Sequence, residues 1–107
     1  MDRKECLTLA LDIVSKDRQN DYGTPESNFG TIAQYWTTYL RKYCKTINIY
    51  PHDVAAMMCL LKISRTATSP MKEDNWVDLA GYAANGIEVA HSVLQSHIEE
   101  GTDNAKR

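Results

Sequence analysis

Asp53-Val-Ala-Ala-Met-Met-Cys-Leu-Leu-Lys-Ile-Ser-Arg65 and, after a short break, Asp74-Asn-Trp-Val-Asp-Leu-Ala-Gly-Tyr82 decide how this chain is read. At about 100° per residue, the first stretch winds Val54, Ala56, Met57, Cys59, Leu60, Leu61 and Ile63 around most of a helix. One narrow strip is left for Met58, Lys62 and Arg65. So apolar a helix is expected to be mostly buried. Its two cations then need anionic partners, because an unpaired charge withdrawn from water is costly. Asp74 and Asp78 on the second stretch are the candidates. With Lys62, Arg65 and Tyr82 they are expected to line a polar pocket in a helical core, the kind of place where a phosphorylated ligand binds.

The second stretch opens a long helix, expected from about Lys72 to Glu100. Projection puts Trp76, Leu79, Ala80, Ala83, Ala84, Ile87, Ala90, Leu94 and Ile98 on an apolar side. The other side holds Asp74, Asp78, Gly81, Tyr82, Asn85, Glu88 and Ser92. Gly81 and Gly86 each cost roughly 1 kcal/mol of helix propensity relative to alanine. Close approach of another helix or a ligand is a reason to keep them.

Toward the N-terminus, Asp2 and Glu5 have capping-box spacing, and Leu7, Ala10, Leu11 and Val14 recur at helical spacing, so a first helix is expected over roughly Arg3 to Asp17. In the turn Arg18-Gln-Asn-Asp-Tyr22-Gly23-Thr24-Pro25, Gly23 can take positive φ, Thr24 is an N-cap and Pro25 a first helical residue. The second helix carries Phe29, Ile32, Ala33, Trp36, Tyr39, Leu40 and Tyr43 on a face expected to be core, and ends before Thr46. Tyr50-Pro51-His52-Asp53 begins the third helix, and Ser69-Pro70 lies in the loop that ends it. No segment alternates like a strand. The expected fold is all-α, a four-helix bundle-like domain over residues 1–100 with a polar tail over 101–107.

A chain of 107 residues with 43% hydrophobic and 24% charged residues is an ordinary globular domain. A net charge of −2 argues against a binder of polymeric nucleic acid, which needs clustered Lys and Arg, but leaves free nucleotides open. Cys6, Cys44 and Cys59 lack C-x-x-C spacing and are expected to be reduced thiols. The N-terminus opens with charged residues and lacks the continuous apolar stretch of a signal peptide or a membrane span, so a cytoplasmic protein is expected.

Arg18-x-x-x-Tyr22-Gly23, Asn28-Phe29, Ile32-Ala33-x-x-Trp36, Asp53-Val54-Ala55, Lys62-Ile63-x-Arg65 and Asp74-Asn75-x-x-Asp78-x-x-Gly81-Tyr82 resemble a group of small phage and prophage proteins of uncharacterised function. That group is similar to the all-α nucleoside triphosphate pyrophosphatases of the MazG and dUTPase-like type. Those enzymes hold Mg²⁺ against nucleotide phosphates with a Glu-x-x-Glu pair on one helix and a Glu-x-x-Asp pair on the next. The resemblance matches Asp78 to the last of these acids, with Asn75 in place of its Glu and Asp74 as a nearby substitute. Ser64 and Arg65 stand where acids of the first pair are expected. If phage-encoded, the protein would act in the host cytoplasm.

Taken together, these readings give an expected nucleotide-handling protein with Mg²⁺ held by Asp74 and Asp78. Asp53 is a secondary metal candidate, though its place after Tyr50 suits a capping carboxylate better. Lys62, Arg65 and Arg18 would neutralise phosphate charge, with Tyr22, Tyr82 and Asn75 as further substrate contacts. Asp74 and Asp78 would be the catalytic carboxylates of a (deoxy)nucleoside triphosphate pyrophosphohydrolase. The alternatives are a non-catalytic nucleotide sponge or sensor, and a helical interaction adaptor in which Lys62 and Arg65 are neutralised internally. Trp36, Trp76 and the tyrosines exceed what one small core hides, so a homodimer or higher homo-oligomer is expected.

Overall fold

The computed structural model describes residues 1–15 and 23–99. Four helices start where local chemistry favours a start. The carboxylate of Asp2 accepts the Glu5 N–H at 2.8 Å and opens α1, Arg3–Val14. Gly23 takes φ of +81°, which feeds the chain into the Thr24 cap, whose hydroxyl accepts the Ser27 N–H at 3.2 Å. Pro25 follows as the first residue of α2, Pro25–Leu40. Asp53 accepts the Tyr50 N–H at 2.9 Å and opens α3, Pro51–Thr68. A tight turn leads into α4, Glu73–Glu99. Among the described residues there is no strand.

α3 and α4 run antiparallel: Ala55 meets Gly86, Cys59 meets Leu79 and Lys62 meets Asp78, so numbers rise on one helix as they fall on the other. α2 lies across one side of this pair, and Phe29, Ala33, Val54, Ala55 and Val89 form the core between them. α1 lies along α4, where a Cβ on Gly81 would sit 3.6 Å from Val14 and 3.8 Å from Ile13. The connector after α2 is tied back by Thr37, a buried residue whose hydroxyl oxygen accepts the Ile49 N–H at 2.9 Å. Arg41 Nε also donates to the Ile47 carbonyl at 3.0 Å.

Several faces turn out differently from the periodicity. On α1, Ala10, Ile13 and Val14 point inward while Leu7 and Leu11 are exposed. α2 ends at Leu40, so Tyr43 falls in the turn beyond it, and both Tyr39 and Tyr43 are exposed rather than core. α3 is not mostly buried: only Val54 and Ala55 are fully enclosed, because one side of the helix meets neither α2 nor α4. The largest difference is in α4. Its inner side carries Asn75, Val77, Gly81 and Val89, with Asp78, Tyr82 and Asn85 half-buried beside them, whereas Trp76, Ala83, Ala84 and Ile87 are exposed. The reason is that α1 and α2 both pack on the side of α4 that bears its polar residues. The tail over 101–107 lies outside the described residues.

Two glycines of α4 meet neighbours at different distances. A Cβ on Gly86 would lie 3.3 Å from the Cβ of Ala55, which backbone geometry fixes in place, whereas at Gly81 the contacts are of ordinary length. Gly81→Ala is therefore expected to raise stability by up to about 1 kcal/mol through helix propensity. Gly86→Ala should gain nothing or lose stability, since α3 must move to admit it. Urea midpoints check this, and equal gains at both positions would contradict a close crossing at Gly86.

Candidate functional site

A cleft of about 220 Å³ opens where the end of α1, the start of α2 and the middle of α3 and α4 meet. Its apolar walls come from Ile13, Val14, Pro25, Phe29, Ile32 and Met58. Its polar groups come from Asn28 on α2 and from Asp78, Tyr82 and Asn85 on α4. Those α4 residues recur at i, i+4 and i+7, so one helical strip carries them all into the cleft. Gly81 on the same strip removes the side chain that would otherwise fill the space beside Val14. The Tyr82 ring lies tilted against Phe29, with centroids 6.3 Å apart, within the range of favourable aromatic contact.

The strongest electrostatic contact at the cleft joins Lys62 Nζ to Asp78 Oδ2 at 2.9 Å. The Lys62 side chain is 11% exposed and that of Asp78 32%. The ammonium is thus nearly removed from water while the carboxylate still reaches the cleft. Such a pair holds α3 and α4 in one register, since separating it leaves an enclosed cation without a partner. Lys62 and Arg65 share a strip with Met58, so Arg65 continues the same side of α3 toward its C-terminus.

The other sequence candidates are scattered. Asp74 sits one turn before Asp78 and is exposed, outside the cleft lining. Asn75 is buried and faces inward. Arg65 is exposed and pairs with no acid among the described residues. Asp53 is committed to the N-terminus of α3, with His52 Nε2 3.6 Å from its second oxygen. From Asp53 to Lys62 is about 13 Å along the helix at 1.5 Å per residue. Arg18 and Tyr22 lie outside the described residues. Among the described residues no three His, Cys, Asp or Glu side chains cluster as a metal site. A carboxylate shared with an ammonium is a sparse donor set for Mg²⁺, which takes several oxygens at once.

Asn28 and Asn85 were not singled out by sequence as candidates. The available signal was their cost: asparagine is a poor residue for a helix interior, so two of them within helical turns call for a reason.

The chain belongs to the family described as Domain of unknown function (DUF6378), which it matches over residues 5–90. It is 42% identical over 77 residues to the Gene 55 protein of Mycobacterium phage L5, covering 72% of this chain and 47% of that protein. It is 37% identical over 80 residues to the Gene 55 protein of Mycobacterium phage D29, covering 75% of this chain and 50% of that protein. The chain thus spans about half the length of these relatives. No solved structure matches it. No described helix is long and apolar enough to cross a membrane.

Asp78→Asn keeps the shape of the side chain but strips Lys62 of its counter-charge. A loss of about 1–3 kcal/mol is expected, the cost of leaving a largely enclosed polar group unsatisfied. Lys62→Met in the Asp78→Asn background should restore part of that loss, because no stranded charge remains. Urea unfolding of the two single variants and the double variant at fixed protein concentration measures the coupling, and strictly additive effects would show that the pair does not hold the two helices.

Proposed function

We propose that this chain binds a nucleotide or nucleotide-derived small molecule in the Asp78 cleft, and that capture rather than turnover is its main activity. The observation that carries this reading is the composition of the cleft: apolar and aromatic walls from Phe29, Ile32 and Met58, with a carboxylate, two carboxamides and a phenol among the lining groups. A planar heterocycle has matching chemistry, with π-faces for the walls and N–H and C=O groups for the polar lining. About 220 Å³ is small against the roughly 300–1,000 Å³ of pockets for drug-sized ligands. The enclosed part therefore suits one ring system, with any phosphates lying outward along the Lys62 and Arg65 strip.

The sparse carboxylate set supports a non-catalytic role, such as a phage-encoded nucleotide sponge in the host cytoplasm. The second reading is Mg²⁺-dependent cleavage of a nucleoside triphosphate by an all-α pyrophosphatase-type fold. Asp78 in the cleft wall favours it, with Asp74 one turn away and the ligand's own phosphates supplying oxygens.

A panel of nucleosides and nucleotides scored by thermal shift and pyrophosphate release, with and without Mg²⁺, tests both readings. A binder of the folded state raises stability by RT ln(1 + [L]/Kd), so at a hundredfold excess over Kd about 2.7 kcal/mol is expected. Asn85→Ala should shrink the shift by removing a polar contact. Stabilisation without pyrophosphate release is the expected result. Release that Asp78→Asn abolishes would establish the hydrolase reading instead, and a panel with no shift at all would remove both.

A further inference from the structure

We propose that the outer side of α2, with the turn that follows it, is a binding surface for single-stranded nucleic acid, independently of what the cleft binds. α2 turns Phe29, Ala33 and Thr37 inward. Tyr35 and Tyr39 stand on the opposite side, one helical turn apart and 72% and 60% exposed. Tyr43 follows in the turn that closes the helix, where its backbone N–H donates to the Leu40 carbonyl at 2.9 Å, and it is 75% exposed. Its ring centroid lies 5.8 Å from that of Tyr39, with the planes tilted by 56°. The two rings thus hold each other in place while both remain open to solvent. Three phenols in a row are presented outward, where a core reading of the same residues had expected burial.

Charge is segregated along the same part of the chain. From Ser27 to His52 the sequence has Arg41, Lys42 and Lys45 and no aspartate or glutamate, although the whole chain has a net charge of −2. All three cations are exposed, and among the described residues none is ion-paired with an acid. Arg41 is held beside the turn by its Nε bond to the Ile47 carbonyl. The net charge that argues against nucleic-acid binding is therefore an average, and this end of α2 departs from it. Open aromatic faces beside unneutralised cations match a ligand that alternates flat bases with phosphates, the two contacts by which single strands bind without sequence preference. In a duplex the base faces are stacked on one another, so only an unpaired strand can use the rings. No exposed residue from Gln34 to Thr46 is aliphatic, so the strip lacks the apolar face that an interfacial helix sinks into lipid. Three rings and three cations suit a short contact, on the order of four nucleotides, at the small end of such sites.

A fluorescently labelled oligothymidine strand titrated with the full chain at low salt is expected to gain anisotropy, and the same strand in a duplex should bind more weakly. Tyr39→Ala and Tyr43→Ala should each weaken strand binding by about fivefold or more, the loss of one stacked base. Tyr39→Phe keeps the π-face and should bind as the wild type does. At about −0.7 per phosphate for single strands, three contacts give a slope of log K against log salt of about −2, and Lys45→Gln should reduce it by about a third. Should an alanine variant lose helicity, Tyr39→Leu, which has bulk but no π-face, takes its place with the same expected loss. No strand binding at low salt overturns the proposal, and so does a duplex that binds as tightly as the strand. Binding that Lys45→Gln weakens and the tyrosine variants leave unchanged also overturns it, since charge alone then accounts for the affinity. Stronger association with vesicles of anionic lipid than with the strand overturns it in favour of a membrane surface. Binding that is lost with Asn85→Ala but not with the tyrosine variants overturns it by moving the strand to the cleft.

Discussion

The close antiparallel crossing of α3 and α4 is the constraint on which the rest of the molecule depends. It needs a residue without a side chain at Gly86, because a Cβ there would already stand 3.3 Å from Ala55. It also needs an anion where Lys62 arrives on the inner side, and Asp78 provides it at 2.9 Å. These two contacts lie eight residues apart on α4, about 12 Å at 1.5 Å per residue. Together they fix both the separation of the helices and their relative height. α2 then has one side of the pair to pack on, α1 has the flank beside Gly81, and the cleft is the space that these three placements leave.

The helix starts were legible in the sequence because each rests on local chemistry that needs no tertiary partner. Asp2, Thr24 with Pro25, and Asp53 after Pro51 each do what their spacing implies, and Gly23 takes the positive φ that the turn before Thr24 calls for. The faces were less legible. Projection sorts residues by polarity and assumes that the apolar side is the inside. In α4 that assumption fails, because Asp78, Tyr82 and Asn85 line a cleft while Trp76 and Ile87 point away from the other helices. The same assumption placed Tyr39 and Tyr43 in the core, though the helix stops at Leu40 and Thr37 uses its last inward turn to hold Ile49.

Of the candidate site, the pairing of a buried cation on α3 with a carboxylate on α4 was legible because burial of charge allows few alternatives. Which carboxylate it would be was not. Asp74 and Asp78 lie on one strip, and only the height of the helices, set by Gly86 and Ala55, brings Asp78 level with Lys62. The carboxamides of Asn28 and Asn85 show the complementary gap: residue type signalled an unusual helix interior, but nothing local says that α2 and α4 converge there. Arg18 and Tyr22 lie outside the described residues.

Lys62 is the residue at which fold and chemistry meet. Its side chain is largely enclosed with Asp78 as partner, so on the proposed reading a ligand phosphate that reaches it would compete with that carboxylate. Weakening that pair loosens the register of α3 and α4, while a ligand phosphate that replaces the carboxylate keeps the cation satisfied. On the proposed reading, the structural ion pair and the group that meets a ligand anion would be one and the same.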